Sequence, residues 1–468
     1  MISEPVHAQR LPALLSQARG VAIALLVAAG LAAIHLAADG HDQQRVVQLA
    51  FLAAAVAVML AGGRALILPG AVPGAALLVF FALGLAAALR APSPLHGLLE
   101  VALWWLLLAV ALAGAGELAR DDGPGRLLVL QLLGAGVALY CVKVLVVWGS
   151  ALALHGETDL FSFAPGFSNY RFLNHGQTVT LPLLVLLCLE APARQRRFWF
   201  ALAALWWALL FLLGGRGTQA GLLAGSVVAL LVAGRAAFPF CRAMLATAVA
   251  GALAWVLLFR AAPFVAGMAP FGTSTGQLAR TLADPGSGRG ALWHCAWDLI
   301  AAHPWLGAGP MHFAHLPATA ASFAHPHNWM LQVGAEWGLP ALAAVCVALL
   351  AASAALLRAG WQARKDMPPP RVALCAWIVT GCAILTDALV SGLVVMPVSQ
   401  MAIVLYLACA LGQLRAGGAP AGPRLDALFR VLTLLALLLA GAAAVLSYQS
   451  AGAEDERYIP RFWLQGHF

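Results

Sequence analysis

The sequence predicts an all-α, polytopic transmembrane helical bundle of about 12–14 spans, and three observations carry that expectation. Hydrophobic residues make up 62% of the 468 residues and charged residues only 10%, with a mean hydropathy of +0.87, whereas the apolar share of soluble proteins stays near one half. Apolar runs long enough to cross roughly 30 Å of hydrocarbon recur along the whole chain. The longest stretch that cannot sit in lipid, residues 263–327, ends in imidazoles and amides where an aqueous loop enters a membrane helix.

The apolar runs lie at 20–37, 46–62, 71–89, 97–116, 127–149, 176–190, 198–214, 217–234, 243–262, 328–357, 371–396, 398–414 and 427–448, thirteen in all. Gly and Pro inside them are tolerated in membrane helices and let backbones approach closely. Arg10 and Arg19 precede the first run as in a signal peptide, but the many later spans favour an uncleaved first helix. With the N-terminus in the cytoplasm, seventeen of the 27 Lys and Arg fall inside, as the positive-inside rule requires. That orientation puts residues 150–175, the Arg216 turn, residues 263–327 and the C-terminal tail on the outer side, the periplasm of a bacterial inner membrane. The aqueous segments are too short to bury a core of their own, so residues 1–468 read as one transmembrane domain. Residues 263–327 are a large periplasmic loop region within it, carrying short amphipathic helices.

The formal charge of +8 does not indicate nucleic acid, because the positive residues are scattered Arg between apolar runs with no basic stripe. Seven of the eight cysteines lie in or beside apolar spans, with only Cys295 in a clearly aqueous loop, so no disulfide framework follows.

Within the outer loop, Arg289 to Ile300 shows helical spacing of Trp293, Trp297 and Ile300, which predicts a short interfacial helix that stops before Pro304 and holds Arg289 in its first turn. Gly307-Ala-Gly309-Pro310 lacks the Lys-Ser/Thr of a phosphate loop and is a turn. His312, His315, His325 and His327 come without the helical spacing or cysteine partners of a zinc site, and no metal or cofactor is expected. If a helix starts near Asn328, then Asn328, Gln332 and Glu336 share one face and descend about 12 Å into the membrane. Such a polar stripe faces other helices or water. For Gln332 alone, interhelical hydrogen bonding is the simpler reading. His327 stands at the boundary between water and membrane, where an imidazole can take a proton from a hydroxyl near neutral pH, although it could equally cap the helix.

Arg216 lies in Gly214-Gly215-Arg216-Gly217, a tight outer turn whose glycines would let a large anion reach the backbone as well as the guanidinium. Arg171, Asn174, His175 and Gln177 cluster directly before another span. Arg171, Arg216 and Arg289 together could clamp a pyrophosphate through charge-assisted hydrogen bonds, as a divalent cation does elsewhere; the competing reading makes them ordinary interfacial anchors. Metal-dependent membrane glycosyltransferases need paired outer carboxylates, and before the tail only Glu157 and Asp159 offer a close pair. Lys143 and Asp387 are charges within spans that either pair with each other or mark an ion path.

These residues resemble the O-antigen ligase and O-antigen polymerase superfamily, which includes bacterial protein O-oligosaccharyltransferases. The resemblance rests on Gly-Gly-Arg216-Gly after a span, on Arg289 with Leu292-Trp293 leading to Ala302-His303-Pro304-Trp-Leu-Gly307-Ala-Gly309, and on His327-Asn328 followed by Gln332, Glu336 and Gly338. It covers roughly residues 160–412. It departs from the family where Gly215 replaces a frequent Ser, and where Asn174-His-Gly-Gln177 matches the Gly-Gln-Pro-Asn stretch of the protein-modifying members only in part. The resemblance implies metal-independent transfer of a glycan from undecaprenyl diphosphate to an acceptor hydroxyl in the periplasm. Arg216 and Arg289 would hold the diphosphate, and His327 would act as base or orient the acceptor. Arg171, Asn174, Gln177, His325, Asn328, Gln332 and Glu336 complete the candidate substrate-binding set. The expected partners are the lipid-linked donor, membrane lipids and lipid A core as acceptor. A glycoprotein acceptor or a growing repeat-unit chain is the alternative within the superfamily. A transporter or flippase is the non-enzyme alternative, though transporters place substrate groups near the midplane, whereas here they sit at the outer face.

Overall fold

The computed structural model describes residues 10–37, 40–62, 66–121, 123–156, 158–271, 289–315, 324–364, 371–415, 420–449 and 462–463. It is an all-α bundle with no strand among those residues. In chain order the helices are α1 (Arg10–Gly20), α2 (Ala22–Ala37), α3 (His41–Ala61), α4 (Ala71–Arg90), α5 (Pro94–Leu118), α6 (Pro124–Leu154), α7 (Tyr170–Glu190), α8 (Ala193–Leu213), α9 (Arg216–Ala233) and α10 (Phe238–Val256). They continue as α11 (Arg289–Ala302), α12 (Trp329–Trp337), α13 (Leu339–Gln362), α14 (Arg371–Asp387), α15 (Pro397–Leu414) and α16 (Pro423–Gln449). Among the described residues, ten helical segments are long and apolar enough to cross a membrane, and one of them, Arg216–Val265, contains both α9 and α10; Ala22–Leu36 and Val372–Asp387 are shorter apolar helices. Proline opens several of these helices, as at Pro94, Pro124 and Pro397, where its missing N–H has no intrahelical partner to lose.

Helix α7 is the axis of the bundle. Its apolar window is 89% buried, and α6, α8, α9, α10, α14 and α15 all pack on it. The outer helices instead expose leucine and valine, as at Leu78, Val146, Leu231, Leu253 and Leu350, the side chains that lipid would cover.

The α9–α14 pair is set by a glycine stripe. Gly217, Gly221 and Gly225 recur every fourth residue on α9, and a Cβ on any of them would run into α14: on Gly221 it would lie 2.7 Å from the Ala383 carbonyl oxygen, on Gly225 it would strike Val379, and on Gly217 the Asp387 carboxylate. Small residues at this spacing let two membrane helices touch backbone to backbone. The antiparallel match brings the N-terminus of α9 to the C-terminus of α14.

Two expectations are corrected. The run 328–357 is not one helix: Gly338, at φ 87° and ψ 164°, breaks it into α12 and α13. The left-handed turn is held by Leu339 N–H donating to the Pro304 carbonyl at 2.9 Å, and Ala308 N–H donates to Ala335 at 2.8 Å, so the outer loop plugs the gap between the two pieces. The run 371–396 is helical only to Asp387, after which turns lead into α15. The interfacial helix begins at Arg289 and ends at Ala302, ahead of Pro304. Parts of the large loop, residues 272–288 and 316–323, lie outside the described residues, as do Glu157 and the C-terminal tail apart from Phe462 and Trp463.

Candidate active site

Three helices begin at one end of the bundle with an arginine in the first turn. Arg171 is the second residue of α7, Arg216 the first of α9 and Arg289 the first of α11. All three line one cavity of about 280 Å³, together with Asn174, His175, Gly215, Thr218, Asp387 and Ser391. The first turn of a helix carries unpaired N–H groups and the positive end of the backbone dipole. Three guanidinium groups and three helix N-termini therefore create a strongly positive concavity suited to an anion with several oxygens. Arg171 and Arg216 are exposed to the cavity and Arg289 is half-buried.

The floor is a hydrogen-bonded lock between α7, α9 and α14. Thr178 donates to Asp387 Oδ2 at 2.6 Å, its Oγ1 lies 2.8 Å from Thr218 Oγ1, and Thr218 donates to the Asn174 carbonyl at 3.0 Å. His175 Nδ1 stands 4.0 Å from the same Asp387 oxygen. Asp387 thus engages Thr178, Thr218 and His175 in the cavity wall, so of the two readings left open for it, pairing with Lys143 is not the one the structure shows. Sequence reading singled out Asp387 as a lone charge in a span but did not assign it to the site. The glycine stripe aligns residue 217 with residue 387 only once α9 and α14 are packed together, so the sequence alone held no signal for this placement.

Asn174 donates through Nδ2 to Gln177 Oε1 at 2.8 Å, and its own Oδ1 is buried with no hydrogen-bond partner among the described residues. That leaves an acceptor on the cavity wall for a ligand hydroxyl. Gln177 is not brought to the cavity. It is fully buried and donates to the Trp206 carbonyl at 2.8 Å, joining α7 to α8.

His327 does not line the cavity itself, but its imidazole feels the charges of Arg289 and Arg171, which do. Trp293 of α11 donates to the Pro326 carbonyl at 3.1 Å, and Trp329 N–H donates to the Ala388 carbonyl at 3.0 Å, so the loop carrying His327 is pinned between Arg289 and Asp387. His327 has φ 54°, a left-handed conformation more common for His than for most side chains and one that often marks a functional loop. His325 holds it there. Its Nδ1 accepts from His327 N–H at 3.2 Å, the two rings meet edge to face at 4.2 Å, and the His325 ring lies over Gly392, where any Cβ would strike it. Burial first, then the positive charge of Arg289, with His175 and Arg171 adding to it, push the His327 imidazole down to about 3. It is therefore neutral at physiological pH and carries a lone pair.

The remaining predicted residues lie away from the cavity. Asn328 caps α12, its Oδ1 accepting from Met330 and Leu331 N–H at 3.0 and 3.1 Å. Glu336 is fully buried and accepts from Phe313 N–H at 3.0 Å, organising the Gly309–Phe313 turn. Gln332 is also buried in α12. The stripe expected to descend from Asn328 is thus the inner face of a short helix packed against the bundle. Asp159 accepts from the N–H and hydroxyl of Ser162 in its own turn, which hold its carboxyl below the usual range.

No curated protein matches the chain. Residues 181–346 match the family described as O-antigen ligase, over a stretch that contains Arg216, Arg289 and His327. That match, on an all-α bundle of apolar helices, makes this part of the chain similar to the O-antigen ligase family.

Proposed function

We propose that this protein is an O-antigen ligase: a metal-independent, inverting glycosyltransferase of the bacterial inner membrane that moves an oligosaccharide from undecaprenyl diphosphate to a hydroxyl of lipid A core at the periplasmic face. The observation that carries this reading is the convergence of Arg171, Arg216 and Arg289 on one cavity, with the imidazole of His327 within electrostatic reach of Arg289 and Arg171.

The acceptor oxygen attacks the anomeric carbon from the face opposite the diphosphate. The new C–O bond forms as the sugar–phosphate bond breaks, the acceptor proton passes to His327, and the bonding pair leaves with the polyprenyl diphosphate. Charge grows on the departing oxygen, where guanidinium groups fixed in advance stabilise the transition state more than the ground state. Asn174 Oδ1 accepts from a sugar hydroxyl. Burial is the larger cause of the low value of about 3, and the charges of Arg289 and Arg171 add to it; a bound diphosphate neutralises those charges and so offsets the second part of the shift. Donor binding therefore raises its basicity at the moment a proton must be taken.

The test is transfer in vitro with purified protein, lipid-linked O-antigen and lipid A core in the presence of a chelator. The expected result is full-length capping of the core that survives chelation and is lost in Arg216→Ala. Near-normal transfer by that variant, or strict dependence on added metal, overturns the reading. Addition of glycan to a pilin instead of the core would keep the donor chemistry and replace the acceptor.

A further inference from the structure

A second cavity, of about 700 Å³, runs down the side of the bundle between α8, α9 and α10 and is walled by apolar side chains, among them Trp207, Phe211, Leu222, Leu230 and Met244. We infer that this lateral groove holds the polyprenyl chain of the lipid-linked donor, an inference that rests on the donor assigned above.

The argument is one of continuity. The arginine cavity is built on Gly214 and Gly215 just past α8 and on Arg216, Gly217 and Thr218 at the start of α9. The groove takes over on the next positions of the same two helices, with Phe211 on α8 and Gln219 on α9. A ligand whose anionic head lies against Arg216 thus finds an apolar channel beginning one residue beyond Thr218. From Gln219 the groove face of α9 runs through Leu222, Leu223, Ser226 and Leu230, positions that share one helix face and span about 17 Å at 1.5 Å per residue. The glycine stripe makes the groove possible, since it draws α9 onto α14 and leaves it packed only sparsely on α10. Leu223 and Leu245 are 68% and 66% exposed, so the channel opens sideways to lipid. A chain therefore enters without threading through protein.

The test measures binding of two leaving-group mimics to the purified full-length protein: geranyl diphosphate, with two isoprene units, and undecaprenyl diphosphate, with eleven. Wild type is expected to bind the long chain at least about tenfold more tightly. Filling the groove with Ala248→Trp and Ser226→Phe should remove that preference while leaving geranyl diphosphate affinity within about twofold. A long-chain preference that persists in the filled variant overturns the groove assignment and leaves the arginine site standing. Failure of both diphosphates to bind wild type overturns the donor reading and the groove with it. Because the filled variant can fail to fold, a second measurement uses the unaltered protein. An undecaprenyl diphosphate carrying a diazirine in mid-chain should label peptides from residues 219–230 and 238–248. Labelling confined to other helices, as an ordinary annular lipid would give, counts against the groove.

Discussion

At the scale of single residues, the site depends on side chains whose freedom has been removed by neighbours. A methyl group at Gly217 would strike the Asp387 carboxylate and break its bonds to Thr178 and Thr218, while the backbone there needs no glycine-only conformation. Gly217→Ala is therefore expected to lower transfer at least about tenfold and to cost about 1–3 kcal/mol of stability, because it displaces a buried hydrogen-bonded network in the cavity wall. Unchanged turnover in that variant would remove Asp387 from the site. His327→Ala should lower kcat by roughly 10²–10⁴-fold, the usual range for a general base, with near-normal donor affinity. The imidazole also imposes a pH signature on the fold. Its value is depressed from 6.5 to about 3 in the folded protein, so the stability it contributes is fully present above pH 6.5 and declines as pH falls towards 3. His327→Gln should flatten that part of a melting-temperature profile, and binding of undecaprenyl diphosphate should move the imidazole titration upward, as nuclear magnetic resonance would report. The residues most legible in the sequence were the arginines, because a guanidinium beside glycine at a membrane boundary has few structural uses. Gln177, Asn328 and Glu336 do not line the cavity and bond their own surroundings, which a sequence does not show because it does not reveal which polar side chains the backbone and neighbours consume.

At the scale of elements, helix existence was legible and helix boundaries were less so. All thirteen apolar runs carry helix, since hydropathy over a span-length window reports burial in lipid directly. The break at Gly338 was not, because a single glycine within an apolar run is common in membrane helices and only tertiary bonds from Pro304 and Ala308 select the left-handed turn. A Cβ at Gly338 would strike the Trp305 carbonyl as well as strain the backbone. Gly338→Ala is expected to cost about 1–3 kcal/mol and to lower the melting temperature. A variant as stable as wild type would show that the loop does not depend on this turn. The glycine stripe of α9 was present in the sequence as Gly217-x-x-x-Gly221-x-x-x-Gly225, but its partner helix can be named only once the bundle is assembled.

For the whole molecule, three of the segments expected on one face gather there, since one cavity draws on Arg171, the Arg216 turn and Arg289. If that face is periplasmic, a cysteine replacing Trp305, which is 75% exposed, in a Cys295→Ser background should react with a membrane-impermeant maleimide in spheroplasts. A cysteine replacing Arg194, in the first turn of α8, should react only after lysis. The reverse pattern would place the arginines in the cytoplasm and end the proposed function. At the same end of the bundle, Arg45 of α3 is 1% exposed and donates to Gln48, Gln400, the Val395 carbonyl and, across 417 positions, the Phe462 carbonyl. At synthesis rates of about 5–20 residues per second, roughly twenty to eighty seconds separate translation of that arginine from translation of its last partner. Gln48 is made with the same helix and Gln400 and Val395 follow later, but the shell around this buried cation closes, and assembly of this face finishes, only after the ribosome has passed Phe462.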